Sequence, residues 1–93
     1  MSIDQTLKER GNRYGKYSEV MEARASIMNT LMLHNKVSDI ESMTREMEMA
    51  IGDIVLKLVR ASAAPSYKDS FHDIAGYATL IERELCGDNN EKK

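Results

Sequence analysis

The stretch from Ser38 to Pro65 constrains this chain more than any other. Ile40, Met43, Met47, Ile51, Ile54, Leu58 and Ala61 recur at three- and four-residue spacing, which predicts one long helix with a buried stripe. Ser38 with Glu41 forms a capping-box pattern at its start, and a small-residue run before Pro65 marks its end. At 1.5 Å per residue this is the longest helix expected, roughly 35 Å. From Met49 onward the opposite flank is apolar as well, carrying Gly52, Val55, Leu56 and Val59. A helix apolar on two sides needs cover from more than one neighbour. Two sources are open: a second chain, completing a dimeric four-helix bundle, or the first and second helices of the same chain. We take the second chain as the expectation, because 93 residues make one small core and the single Cys86 offers neither a disulfide nor a zinc staple.

No stretch alternates apolar and polar residues with β-branched enrichment, so the expected fold is all-α. Its architecture would be a small helical bundle built on an antiparallel hairpin of two long helices and completed by oligomerisation. Ser2 with Gln5 opens a short helix that runs to about Arg10, where Gly11 ends it. The segment from Gly11 to Tyr17 then reads as a connector with two glycines. Ser18 caps a second helix with Val20, Ala23, Ile27, Leu31 and His34 on its stripe and Met21, Met28 and Met32 beside it. Ser66 with Asp69 caps the last helix, whose stripe is Tyr67, Phe71, Ile74, Ala78, Ile81 and Leu85, and Gly87 closes it. Gly52 and Gly76 each cost about 1 kcal/mol relative to Ala inside a helix, so close backbone approach is expected at both. Residues 1–87 form a single helical domain in this reading, and 88–93 a disordered C-terminal tail.

Thirteen basic against fifteen acidic residues leave a net charge of −2, which argues against a coat for duplex nucleic acid and against an anionic-membrane binder. The start, Met1 to Gln5, has no apolar run, and no run of about 18 apolar residues occurs anywhere. A cytoplasmic protein in a reducing compartment is expected.

Three constellations carry chemistry. Lys8, Arg10, Arg13 and Lys16 outnumber Glu9 around the first glycines and are interleaved with Tyr14 and Tyr17; cations bind phosphate, and aromatic faces stack on bases or staple a loop to the bundle. On the long helix Glu46, Asp53, Lys57 and Arg60 share one strip, where Asp53 stands four before Lys57 and is expected to pair with it. That strip reads either as a solvated salt-bridge line or as a cation pair oriented by Asp53 to take phosphate oxygens. On the last helix Asp69, His72, Asp73 and Gly76 share the face away from the stripe, and carboxylates with an imidazole there can hold a divalent cation or orient a phosphate-bound water. For Asp69 capping is the simpler role.

The segments Arg10-Gly11-Asn12-Arg13-Tyr14-Gly15, Asp53 through Arg60, and Asp69-Ser70-Phe71-His72-Asp73-Ile74-Ala75-Gly76-Tyr77 together resemble a small phage and prophage protein family of unknown function. The resemblance implies a phage-type accessory protein in a bacterial host cell and supplies no activity. A weaker one, through Glu19-Val20-Met21-Glu22 and the later Asp69 and Asp73, is to the all-α nucleoside triphosphate pyrophosphohydrolases of the MazG and dimeric dUTPase type. It implies Glu19, Glu22 and Asp73 as magnesium ligands, with Lys57 and Arg60 on phosphate. The second acidic pair departs from that pattern, being spaced by four rather than three.

The leading expectation is a non-catalytic homo-oligomer, without a cofactor, that binds or sequesters a nucleotide or cyclic-oligonucleotide signal at its interface. Arg13, Tyr14, Tyr17, Asp53, Lys57, Arg60 and His72 would contact this small phosphate-containing ligand. The alternatives are a magnesium-dependent pyrophosphohydrolase and an inhibitor that docks on a host protein through a surface rich in the chain's seven methionines.

Overall fold

The computed structural model describes residues 2–38, 41 and 43–87, and among these it contains four helices and no strand. The tail read at 88–93 and the stripe residue Ile40 lie outside the described residues. The first helix, α1, spans Ile3–Tyr14, and the Ser2 hydroxyl accepts from the Gln5 N–H at 3.1 Å, as the capping pattern predicts. It does not stop at Gly11. The positive φ that ends it, 88°, falls on Gly15, whose N–H bonds back to the Gly11 carbonyl. The expected connector therefore shrinks to Gly15 and Lys16, and the second helix, α2, begins at Tyr17 rather than after a Ser18 cap.

α2 spans Tyr17–Ser38 and, at 22 residues, is the longest helix. Ser38 belongs to its end: its hydroxyl donates to the Asn35 carbonyl at 2.9 Å instead of opening the next helix. Asn35 fastens the link that follows, donating to the Glu41 carbonyl and accepting from the Met43 N–H. The third helix, α3, spans Arg45–Ala63 and is capped by Thr44, which accepts from the Met47 N–H at 3.1 Å. It is thus shorter than the expectation from Ser38 and Glu41. The fourth, α4, spans Lys68–Cys86; Tyr67 occupies its cap position without a side-chain bond, so Ser66 is not the cap, and Gly87 closes it in the left-handed conformation. Between α3 and α4, the Tyr67 N–H returns to the Ala64 carbonyl across Pro65, which tightens the hairpin turn.

α3 is the centre of the fold. α2 and α4 pack along it, α1 lies across α2 and α3, and α2 does not approach α4 among the described residues. The flank for which a second chain was expected is covered within this one. Val55, 2% exposed, and Val59 are buried against Val20, with Tyr14, Ala23, Met28, Ile51 and Leu56 around them. Gly52 is buried beside them because Arg24 crosses it: the Arg24 Nε donates to the Gly52 carbonyl at 3.2 Å, and a Cβ at 52 would lie 3.1 Å from Arg24 Nη2. The close approach expected at Gly52 is therefore made by a side chain. Gly76 has no such neighbour within 4 Å.

Covering that flank turns the expected stripes outward. α2 sends Val20, Arg24, Met28 and Asn35 inward and leaves Ile27, Leu31 and His34 exposed. α4 buries Ser70 and half-buries Tyr67, Ile74, Tyr77 and Ile81, whereas Phe71, Ala78 and Leu85 are exposed. No helix among the described residues is long and apolar enough to cross a membrane.

The two helical glycines should respond oppositely to alanine. Gly76→Ala adds helix propensity in open space and is expected to raise stability by about 1 kcal/mol, whereas Gly52→Ala forfeits that gain by displacing Arg24. Urea unfolding of both variants checks this; an equal gain at the two positions would remove the Arg24 contact as the reason for Gly52.

Candidate functional site

Four helix ends meet at one corner of the chain. Tyr14 is the last residue of α1, the Gly15 turn delivers Tyr17 as the first of α2, Arg60 stands in the last turn of α3, and Tyr67 precedes α4. The Tyr14 and Tyr67 rings meet edge to face with centroids 6.3 Å apart and an interplanar angle of 76°. Two guanidinium groups use these rings: Arg13 lies 4.0 Å from the Tyr67 centroid and 5.6 Å from that of Tyr14, and Arg60 lies 5.3 Å from Tyr14. Such contacts are attractive because the ring face carries partial negative charge.

The surroundings tune two of these groups. Arg13 is held above its ordinary pKa, first by hydrogen bonding with Tyr14. The Tyr67 phenol is also held above its ordinary value, first by hydrogen bonding with Asp69 and then by partial loss of water. Both remain in their physiological forms, a permanent cation and a neutral phenol.

Beside this cluster lies a cavity of about 290 Å³. Arg10, Arg60, Tyr14 and Tyr17 supply its polar and aromatic wall, Leu7 and Val20 its apolar wall, and Gly11 and Gly15 expose backbone to it. No carboxylate lines it. None of Arg10, Arg13 and Arg60 has a carboxylate within ion-pair distance among the described residues. The corner thus gathers cationic donors and aromatic faces around a space, with Glu9 acting on Arg13 and Asp73 on Arg60 from beyond ion-pair distance.

Of the residues expected to bind, Arg13, Tyr14, Tyr17 and Arg60 come together here. Lys57 does not join them as a free cation: its Nζ sits 2.9 Å from Asp73 on α4, with side chains 19% and 42% exposed. Among the described residues Asp53 makes no ion pair with Lys57, because α4 presents a partner nearer than the one four residues back on α3. Asp73 is also not on the outward face expected for it; its carboxyl is held below its ordinary value, chiefly by the Lys57 hydrogen bond. His72 is exposed next to it, on the wall of a separate cavity of about 210 Å³ with Gly76 and Tyr77.

Glu19 and Glu22 are exposed on α2, and Asp73 lies on α4, across α3 from them. Among the described residues no three carboxylate, imidazole or thiol groups gather closely enough to hold a metal ion. The ligand set implied by the pyrophosphohydrolase resemblance is therefore not assembled within one chain. The residues that the spacing did not single out are Tyr67 and Arg24. Tyr67 looked like one more stripe position, although its place just after Pro65 puts it beside Arg60 once the hairpin turns. Arg24 stands on the line of Val20 and Met28, four residues from each.

The family of a domain of unknown function (DUF6378) matches residues 3–84, which include all of α1, α2 and α3 and nearly all of α4. No curated protein and no solved structure matches the chain significantly.

The Lys57–Asp73 pair gives a pH prediction with a definite sign. A carboxyl with a lower pKa in the folded state than in the unfolded one stabilises the fold fully above the unfolded value, about 3.9, and this contribution fades as pH falls through the lowered folded value. Carboxyl-carbon NMR should find Asp73 titrating below the ordinary range, and Lys57→Met should return it there. An Asp73 that titrates at or above the ordinary value in the unmodified chain would contradict the pairing.

Proposed function

We propose that this chain, which belongs to the DUF6378 family, binds a small phosphate-bearing ligand of mononucleotide size at the corner where α1, α2 and the end of α3 meet. The observation that carries the reading is the convergence of Arg10 and Arg60 on an aromatic-walled cavity that no carboxylate lines, with Arg13 beside it on the Tyr14 and Tyr67 rings. Like charges kept close together without a carboxylate at ion-pair distance repel one another, and an anion between them relieves that repulsion while satisfying their donors. Guanidinium groups form paired hydrogen bonds with phosphate oxygens, and the exposed Tyr17 ring offers a face on which a base can stack.

Volume narrows the ligand. Drug-sized sites span about 300–1,000 Å³, so a cavity of about 290 Å³ accepts a single nucleotide or a sugar phosphate and is too small to enclose a cyclic dinucleotide. The reading asks for binding and no turnover, since no carboxylate lines the cavity to hold a metal or to act as a base there. Among the residues read from the sequence, it keeps Arg13, Tyr14, Tyr17 and Arg60 and assigns no ligand contact to Asp53, Lys57 or His72.

Thermal melting with a panel of nucleoside mono- and triphosphates tests the reading. A ligand at one hundred times its dissociation constant is expected to raise the midpoint by about 10 °C or more for a domain of this size. Arg60→Ala and Arg10→Ala should each weaken that ligand by about tenfold or more, the loss of one charge-assisted contact. Tyr17→Ala should weaken nucleotides and leave inorganic phosphate unaffected. A panel without any shift at millimolar concentration, or shifts that persist in the arginine variants, would dismiss the site.

A further inference from the structure

The side of the molecule opposite this corner has a different character. α2 runs antiparallel to α3, as the contacts of Asn35 with Met43, Arg24 with Gly52 and Val20 with the Val55 and Val59 cluster require. α4 runs antiparallel to α3 on its other side, joined to it by Lys57–Asp73 and the Ala64–Tyr67 turn. The three helices therefore form a layer with α3 in the middle, and α1 packs against α2 and α3. At 100° per residue, Leu58 lies midway between Val59, which meets α2, and Lys57, which meets α4, and nearly opposite Arg60.

Met47, Ile51 and Ile54 fall within about 40° of Leu58 by the same helical geometry. The same steps along the two antiparallel neighbours place Ile27 and Leu31 of α2, and Phe71, Ala78 and Leu85 of α4, on that side. By the same steps the exposed Glu82 and His34 share that side, each about 20° from Phe71 and Ile27 respectively. Leu58 is 47% exposed, Phe71 50% and Leu85 71%, with Ile27 and Leu31 at 39% and 36%. Taking about 200 Å² for a large apolar residue fully exposed, these five present about 490 Å², to which the half-buried Met47, Ile51 and Ile54 and the exposed Ala78 add. The largest apolar patch of an ordinary monomer is about 300–600 Å², whereas one partner in a standard interface contributes about 800 Å².

We infer that this face is the contact between two copies of the chain, laid layer on layer about a two-fold axis. The core inside one copy is what selects a second copy over any other occupant. Among the described residues its buried apolar residues are Val20, Val55, Val59 and Ala61, and no large side chain is fully buried. A cover needed for folding must be present whenever the chain is made, a condition that a second copy meets. A largely apolar face also pairs with itself about a two-fold axis. The interface lies about 60–120° around α3 from the Gly52, Val55 and Val59 positions for which a partner was expected, and it leaves the basic-aromatic corner open.

Sedimentation between 1 and 100 µM, with melting at each concentration, tests this. The unmodified chain is expected at twice its 10.5 kDa mass, with a melting midpoint that rises with concentration. Leu58→Ala combined with Phe71→Ala should raise the dimer dissociation constant by about 100-fold or more. The control pair Leu33→Ala with Met49→Ala, more exposed than the face pair and off the face, should change it less than threefold. The alanine changes introduce no charge, and where the separated chains lose helical circular dichroism, dissociation and melting must shift together with concentration. A helical monomer at 100 µM with a concentration-independent midpoint overturns the inference, as does a control pair that dissociates like the face pair. Flotation of such a monomer with liposomes would give the face to lipid. Arg60→Ala should keep the dimer mass, so failure of ligand binding and failure of dimerisation are read separately.

Discussion

The packing of α2 against the second half of α3 determines the orientation of everything else in this chain. Gly52, Val55 and Val59 form a nearly flat strip, and Arg24 bonds across the glycine to the main-chain carbonyl beneath it. A larger residue at 52 would push Arg24 away, and with it the helix that carries Val20 and Met28. Once that strip is occupied, α3 has no freedom left about its own axis. Lys57 must then face α4, Arg60 the corner with Tyr14, and Leu58 the open side.

The ends of α1 and α4 depend on the same orientation. Tyr14 packs against the Val20, Val55 and Val59 cluster while its ring receives Arg60 and Arg13. One side chain thus joins the apolar core to the cationic corner. Gly15 makes the junction possible, since its positive φ turns the chain within two residues and sets Tyr17 on the same cavity as Tyr14. A longer connector between Gly11 and Tyr17 would have separated the two rings. The cavity exists because the helix passes through Gly11 and the turn falls later.

Local chemistry was legible in the sequence where one residue decides it. Ser2 accepts the Gln5 N–H, and Gly87 closes α4, each as its type and position predict. Ser38 with Glu41 misleads because Thr44 carries an equivalent capping hydroxyl and the Asn35 side chain holds the intervening link. Gly11 misleads because glycine inside a helix costs only about 1 kcal/mol, less than a second connector would cost in order. Periodicity found the faces of α3 correctly but is silent on which neighbour meets which face. That depends on Arg24 and Gly52, a contact 28 residues apart in the chain. The assignment of Asp53 to Lys57 failed for the same reason: pairing four residues apart is visible in sequence, and the competing Asp73 becomes visible only after α4 has docked.

The layer arrangement separates two demands that a chain of 93 residues would otherwise place in conflict. A site for an anion needs cations that are not neutralised, and gathering them costs stability through mutual repulsion. A small core has little stability to spare. Arg60 and Leu58 stand on nearly opposite sides of one helix, so burial of the Leu58 face would stabilise α3 without desolvating Arg60. Under the two proposals, the repulsion at the corner would be offset from the far side of the same helix, and no residue would serve both the anion site and the contact between copies.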